Sequence, residues 1–125
     1  MTDKGINAIK VMLAIDGLFE MHGSHATTMT LENIAANTDL SPRETEAIID
    51  SLMVVNAKKR LKINIPALKI KREFQFEGKA VHLEKHVEEG SITRNVTYTV
   101  LSGTALGIPS ELLRFMYRVE VATND

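Results

Sequence analysis

A chain of 125 residues with 44% apolar and 25% charged side chains can bury one globular core, and its balance of hydrophobicity and charge is not that of a disordered chain. The absence of cysteine excludes disulfides and thiolate metal centres and fits a reducing compartment. The net charge of −1 is unevenly spread: residues 1–50 carry eight acids against three bases, residues 51–75 seven bases against one acid, and the remainder five bases against seven acids. One central segment is therefore strongly basic while its flanks are not.

Taken in chain order, residues 6–21 predict a helix. Ile6, Ile9 and Leu13, and Val11, Ile15 and Leu18, recur at helical spacing, and Met12 and Phe19 widen the apolar face enough for packing on more than one side. Residues 22–28 read as a loop. A short helix follows over 30–38, with Thr30 as N-cap and Leu31, Ile34 and Ala35 inward. Ser41 caps the next helix, with Pro42 at its first position and Glu44 completing a Ser-x-x-Glu box. Its inner stripe is Thr45, Ile48, Ile49, Leu52 and Val55. A short helix, a tight turn and a second helix over about residues 30–55 form a helix-turn-helix arrangement.

Beyond Ala57 the period changes to two. Leu61, Ile63 and Ile65 alternate with polar residues; Pro66-Ala67 breaks the strand and shifts its register; Leu68, Ile70, Phe74 and Phe76 alternate again, up to a turn at Glu77-Gly78. Residues 80–101 predict a β-hairpin, with Val81, Leu83 and Val87 on one arm, Glu88-Glu89-Gly90 turning, and Ile92, Val96, Tyr98 and Val100 on the return. A linker over 102–107 leads to a final helix over 109–121, whose stripe Leu112, Leu113, Met116 and Val119 suits a core or a dimer contact. No apolar run reaches transmembrane length and the first residues lack a signal-peptide core, so the expectation is a single cytoplasmic domain over 1–125.

Leu31, Ile34, Ala35, Leu40, Ser41 and Leu52 together resemble the L-x-x-I-A-x-x-x-x-L-S … L pattern of winged helix-turn-helix regulators, over residues 31–52. The same stretch is locally similar to the first winged-helix domain of cullins, a structural domain that does not read DNA; that similarity stops after Leu52. The resemblance implies an α+β winged helix-turn-helix fold with an extended β-hairpin and a C-terminal helix. It also implies a small transcriptional regulator that binds duplex DNA and acts as a homodimer, here through the first and last helices. Ser41 and Arg43 would then read bases. Lys58, Lys59, Arg60, Lys62, Lys69, Lys71 and Arg72 would contact phosphate, and Lys85 or Arg94 would approach a minor groove from the hairpin.

Two positions depart from such a regulator. Asp39 stands where the turn often carries glycine, and the outward face of the second helix carries Glu44, Glu46 and Asp50 with Arg43 as its only base. Carboxylates among phosphates cost affinity. The alternative is a protein-interaction module, in which Glu44, Glu46 and Asp50 meet a basic partner. His82, Glu84 and His86 share a strand face, but one strand supplies too few ligands for a strong metal site, and no metal or other cofactor is expected. No phosphate loop, nucleophile elbow or HExxH occurs, and no enzymatic activity is expected.

Overall fold

The computed structural model describes residues 3–22, 27–101 and 103–123, without the side chains at 3, 4, 22, 56–61, 63, 65, 68, 70, 72, 76, 77 and 120–123. Helix α1 (Asp3–His22) occupies the centre, with Ile9, Val11, Met12, Ala14 and Ile15 buried, as its broad apolar coverage predicts. It packs against α2 (Leu31–Ala36), α3 (Pro42–Leu52) and α4 (Ser110–Thr123). Among the described residues no helix is long and apolar enough to cross a membrane.

Both predicted caps form. Thr30 Oγ1 accepts from the Asn33 N–H at 3.1 Å and Ser41 Oγ from the Glu44 N–H at 3.1 Å, satisfying donors that a helix start leaves orphaned. Between α2 and α3 the turn is held by the buried Thr38. Its hydroxyl donates to the Ala35 carbonyl at 2.8 Å and accepts from the Leu40 N–H at 3.2 Å. Asp39 sits at φ 64°, in the left-handed region, which explains why glycine suits this place and why a short polar side chain is tolerated. Asp39→Val should therefore destabilise the fold by about 1–2 kcal/mol while Asp39→Gly leaves it unchanged or slightly firmer. Urea unfolding checks this, and equal midpoints for both variants would remove the backbone argument.

The sheet has the order β1-β5-β4, all antiparallel, from β1 (Thr28–Thr30), β4 (Leu83–Glu89) and β5 (Arg94–Val100). Tyr98, Val96 and Val100 carry its buried face, closed by Met29, Leu83 and α1. β4 and β5 are the predicted hairpin. β1 replaces the end of the loop expected at 22–28 and is registered by the β5 strand, with Thr28 and Thr99 hydroxyls 3.0 Å apart. After β5 the chain returns along the start of β4: His82 N–H donates to Ala105 O at 2.9 Å, Gly107 N–H to Ala80 O at 3.0 Å, and Val81 bridges to Leu106.

β2 (Asn56–Ile65) and β3 (Ile70–Lys79) form a separate two-stranded antiparallel ribbon, the arm, joined by a 3₁₀ turn at Pro66–Leu68. Two expectations are corrected here. Pro66-Ala67 does not merely shift the register of one strand; with Lys69 at φ 54° and its N–H on Pro66 O, it reverses the chain. Glu77-Gly78 is not a turn: β3 runs through it, with Gly78 at φ 109° absorbing the distortion. The arm packs extensively on itself and only marginally on the body.

In α4, Leu112 and Leu113 are buried, and the helix lies along α1. That part of the stripe offered for a dimer is thus core within one chain. Arg114 lies 3.9 Å from both Asp16 and Glu20 on α1. Burial first, then the Glu20 charge, raises the Asp16 pKa against the pull of Arg114.

Candidate nucleic-acid interface

α3 projects Ser41, Arg43, Glu44, Ala47, Asp50 and Ser51 to the surface. Ser41 and Glu44 are engaged with each other, the Ser41 hydroxyl lying 3.3 Å from Glu44 Oε1. Glu46 is not free. Arg94 of β5 grips it with both guanidinium ends, Nη1 to Oε1 at 2.6 Å and Nη2 to Oε2 at 2.7 Å. Lys85 of β4 donates to the same Oε2 at 2.7 Å and to Asp50 Oδ1 at 2.9 Å. Arg94 Nε also lies 3.3 Å from Glu89.

The electrostatics follow from this lattice. Glu46 is only 15% exposed, and hydrogen bonds from Arg94, then Lys85, hold its carboxyl at about 2. Burial opposes the Lys85 charge, yet the bonds to Asp50 and Glu46 outweigh it and raise its pKa. Arg94 is likewise held in its charged form, first by the Glu46 bonds. Beneath the lattice, burial and then the Asp50 and Glu46 charges push the Tyr98 hydroxyl up, so it stays neutral. The Tyr98 and Thr45 hydroxyls are buried with no hydrogen-bond partner among the described residues.

Two sequence readings change. Lys85 and Arg94, expected near a minor groove, are engaged by the carboxylates of α3. Of the three acids offered to a basic partner, Glu46 and Asp50 already have basic partners inside the chain. The signal was present in the sequence: Lys85 falls in the apolar half of the Leu83, Val87 alternation, and Arg94 in that of Val96 and Tyr98. A charge on the inward face of a hairpin needs a partner. The hairpin's outward face carries Glu84, His86, Glu88 and Asn95, and its tip exposes Ile92 at 96%.

The remaining predicted residues lie on the arm, away from α3. The ladder sets Lys58 opposite Glu77, Arg60 opposite Gln75, Lys62 opposite Glu73 and Asn64 opposite Lys71, so these eight positions share one face. Lys62, Lys69 and Lys71 are exposed. Lys58, Lys59, Arg60 and Arg72 take their places in the strands, and their side chains are outside the described part. Over residues 56–79 there are eight bases against two acids; the rest of the chain has seven against fourteen. The molecule is a basic ribbon on an acidic body.

His82 turns to the 104–107 return, with Nδ1 3.3 Å from Thr104 O, while His86 lies 3.5 Å from Glu84. No group of three His, Asp or Glu among the described residues could hold a metal ion. No family model matches the chain, and comparison with curated proteins and with solved structures returns no match.

Proposed function

We propose that the protein binds duplex DNA as a winged helix-turn-helix regulator whose main phosphate-gripping element is the arm. The element order α1-β1-α2-α3, then β4-β5, with sheet order β1-β5-β4, agrees with a winged-helix body in which the arm is an insertion between α3 and the first wing strand. The observation that carries the reading is the concentration of positive charge on a ribbon that stands clear of an acidic body. Pairing of Glu46 and Asp50 with Lys85 and Arg94 supports it further, because it neutralises most of the charge that would have repelled phosphate from α3. Exposed Arg43 and Ala47 then remain for contact with base edges, together with the acceptor lone pairs left on the Ser41 and Ser51 hydroxyls beside their bonds to Glu44 and to Ala47 O.

The test is a fluorescence-anisotropy titration against random duplex DNA at low and moderate salt. Wild type should bind at micromolar concentration with a steep salt dependence. Reversing Lys58, Lys59 and Arg60 to Glu should abolish binding, whereas Glu44→Gln should leave it intact or improve it. Equal affinity of the triple variant and wild type would rule out the arm as the DNA surface. Absence of wild-type binding even at low salt would sink the reading and turn the search to a protein partner.

A further inference from the structure

We infer that β3 is a self-pairing edge, through which two copies of the chain join their arms into one four-stranded antiparallel ribbon with β3 against β3 at its centre. Among the described residues β3 has β2 on one side and no strand on the other, over ten residues. An exposed strand edge of that length is a template for pairing, and a lone two-stranded ribbon is marginal in water. The arm does not obtain that support from the body, on which it packs only marginally.

The occupant is identified by the charge pattern along the strand. In β3, positions 71, 73, 75 and 77 (Lys, Glu, Gln, Glu) share the polar face of the arm, and positions 70, 72, 74 and 76 (Ile, Arg, Phe, Phe) the other. Two copies related by a two-fold axis at Phe74 pair antiparallel over residues 70–78 with both faces kept in register. Lys71 then stands opposite Glu77 of the second copy, twice by symmetry. Glu73 meets Gln75, and Phe74 meets its own copy. Opposite charges directly across an antiparallel pair stabilise it, and like charges do the reverse.

The registers one residue to either side, and self-pairing of β2 about its centre, fail by the same criterion. Moving the axis to Gln75 sets Lys71 against Lys79 and Glu73 against Glu77. Moving it to Glu73 sets that carboxylate against its own copy. Self-pairing of β2 about Arg60 sets Lys58 against Lys62 and Arg60 against itself, and about Leu61 it sets Arg60 against Lys62. Of the two registers whose charges fit, that about Phe74 pairs residues 70–78, whereas that about Phe76, which sets Glu73 against Lys79, pairs only residues 73–79 and leaves the start of β3 without a partner strand. The longer register is favoured although Lys79 then comes opposite Lys69 at its very end. The joined ribbon carries Lys58, Arg60, Lys62 and Lys71 of both copies on one continuous face.

Sedimentation velocity at micromolar concentration tests this without reference to DNA, so its failure and that of the DNA reading are separate events. Wild type should sediment as a dimer that weakens with salt. Glu77→Lys, which sets Lys71 against a new lysine, should shift it to monomer. The charge swap Lys71→Glu with Glu77→Lys should restore the dimer, even though it sets position 58 of the same chain opposite a lysine in place of Glu77. A monomeric wild type, a dimer untouched by Glu77→Lys, or no recovery in the swap would each overturn the proposal. A second measurement is independent of these substitutions. The chain has no cysteine, so Gln75→Cys places one thiol per copy at an exposed position. The two thiols would lie on diagonal positions roughly 7–8 Å apart across the pair. A short bismaleimide should join the copies efficiently, and failure to do so would equally overturn the proposed edge.

Discussion

Gly107→Ala should be among the most damaging single substitutions in the body, costing about 3 kcal/mol or more and lowering Tm by roughly 10 °C. A Cβ at this position would run into the carbonyl oxygen of Lys79 and come within 3.3 Å of His82 Nε2. The obstacle is backbone, so no side-chain rotation relieves it. Nor can the chain back away cheaply: the Gly107 N–H is bonded to Ala80 O, and the neighbouring Val81–Leu106 bridge and His82–Ala105 bond tie the same two segments. Ala80, Val81, Ala105 and Leu106 are all buried, so separating the segments would open the core. Gly103→Ala is the control, because its Cβ meets nothing within 4 Å. Thermal denaturation of the two variants decides the matter, and a Gly107→Ala protein that melts with wild type would show that the return strand yields.

The second large effect is on acid stability. Glu46 titrates at about 2 in the folded chain against 4.5 in the unfolded one. A carboxyl whose folded pKa is lowered contributes stability that is full above its unfolded pKa and disappears as the pH falls through the folded one. The contribution should therefore be complete above about pH 5 and fade between pH 4.5 and 2. Its size should be roughly 2 kcal/mol, because Glu46 is largely buried and accepts from two cations. Glu46→Gln should lose that amount at neutral pH and show a shallower acid limb in urea unfolding. Identical pH profiles for variant and wild type would mean that the lattice contributes nothing net. The hydrogen bond from Lys85 to Asp50 and the ion pair of Arg94 with Glu89 keep both cations partnered in the variant, which limits the loss.

What could be read from the sequence is what local chemistry decides. Ser41-Pro42 with Glu44, and Thr30 before Leu31, mark helix starts whose caps form as expected. Alternation over 80–101 marks β4 and β5 because one face of that hairpin is buried. What escaped depends on distant partners. β1 is three residues long and exists because β5, some seventy residues away in the chain, supplies its ladder. The reversal at Pro66–Lys69 has no Gly, Asn or Asp to announce it, since Lys69 itself takes the left-handed conformation. The acids of α3 looked like a surface hostile to phosphate because their cations sit 35 to 48 residues downstream. The basic segment was legible as charge, but not as a ribbon separate from the body.

The arm begins and ends at one point. Val55 O accepts from the Ala80 N–H at 3.2 Å, so the body's backbone meets itself across the insertion. The twenty-four residues between are a parenthesis in the chain: they can lengthen, shorten or change composition without altering the spacing of the segments they interrupt. Substitutions that retune the ribbon's charge need not be compensated in α1 or the sheet. The part of the molecule best placed to change its partners is the part on which the body's folding depends least.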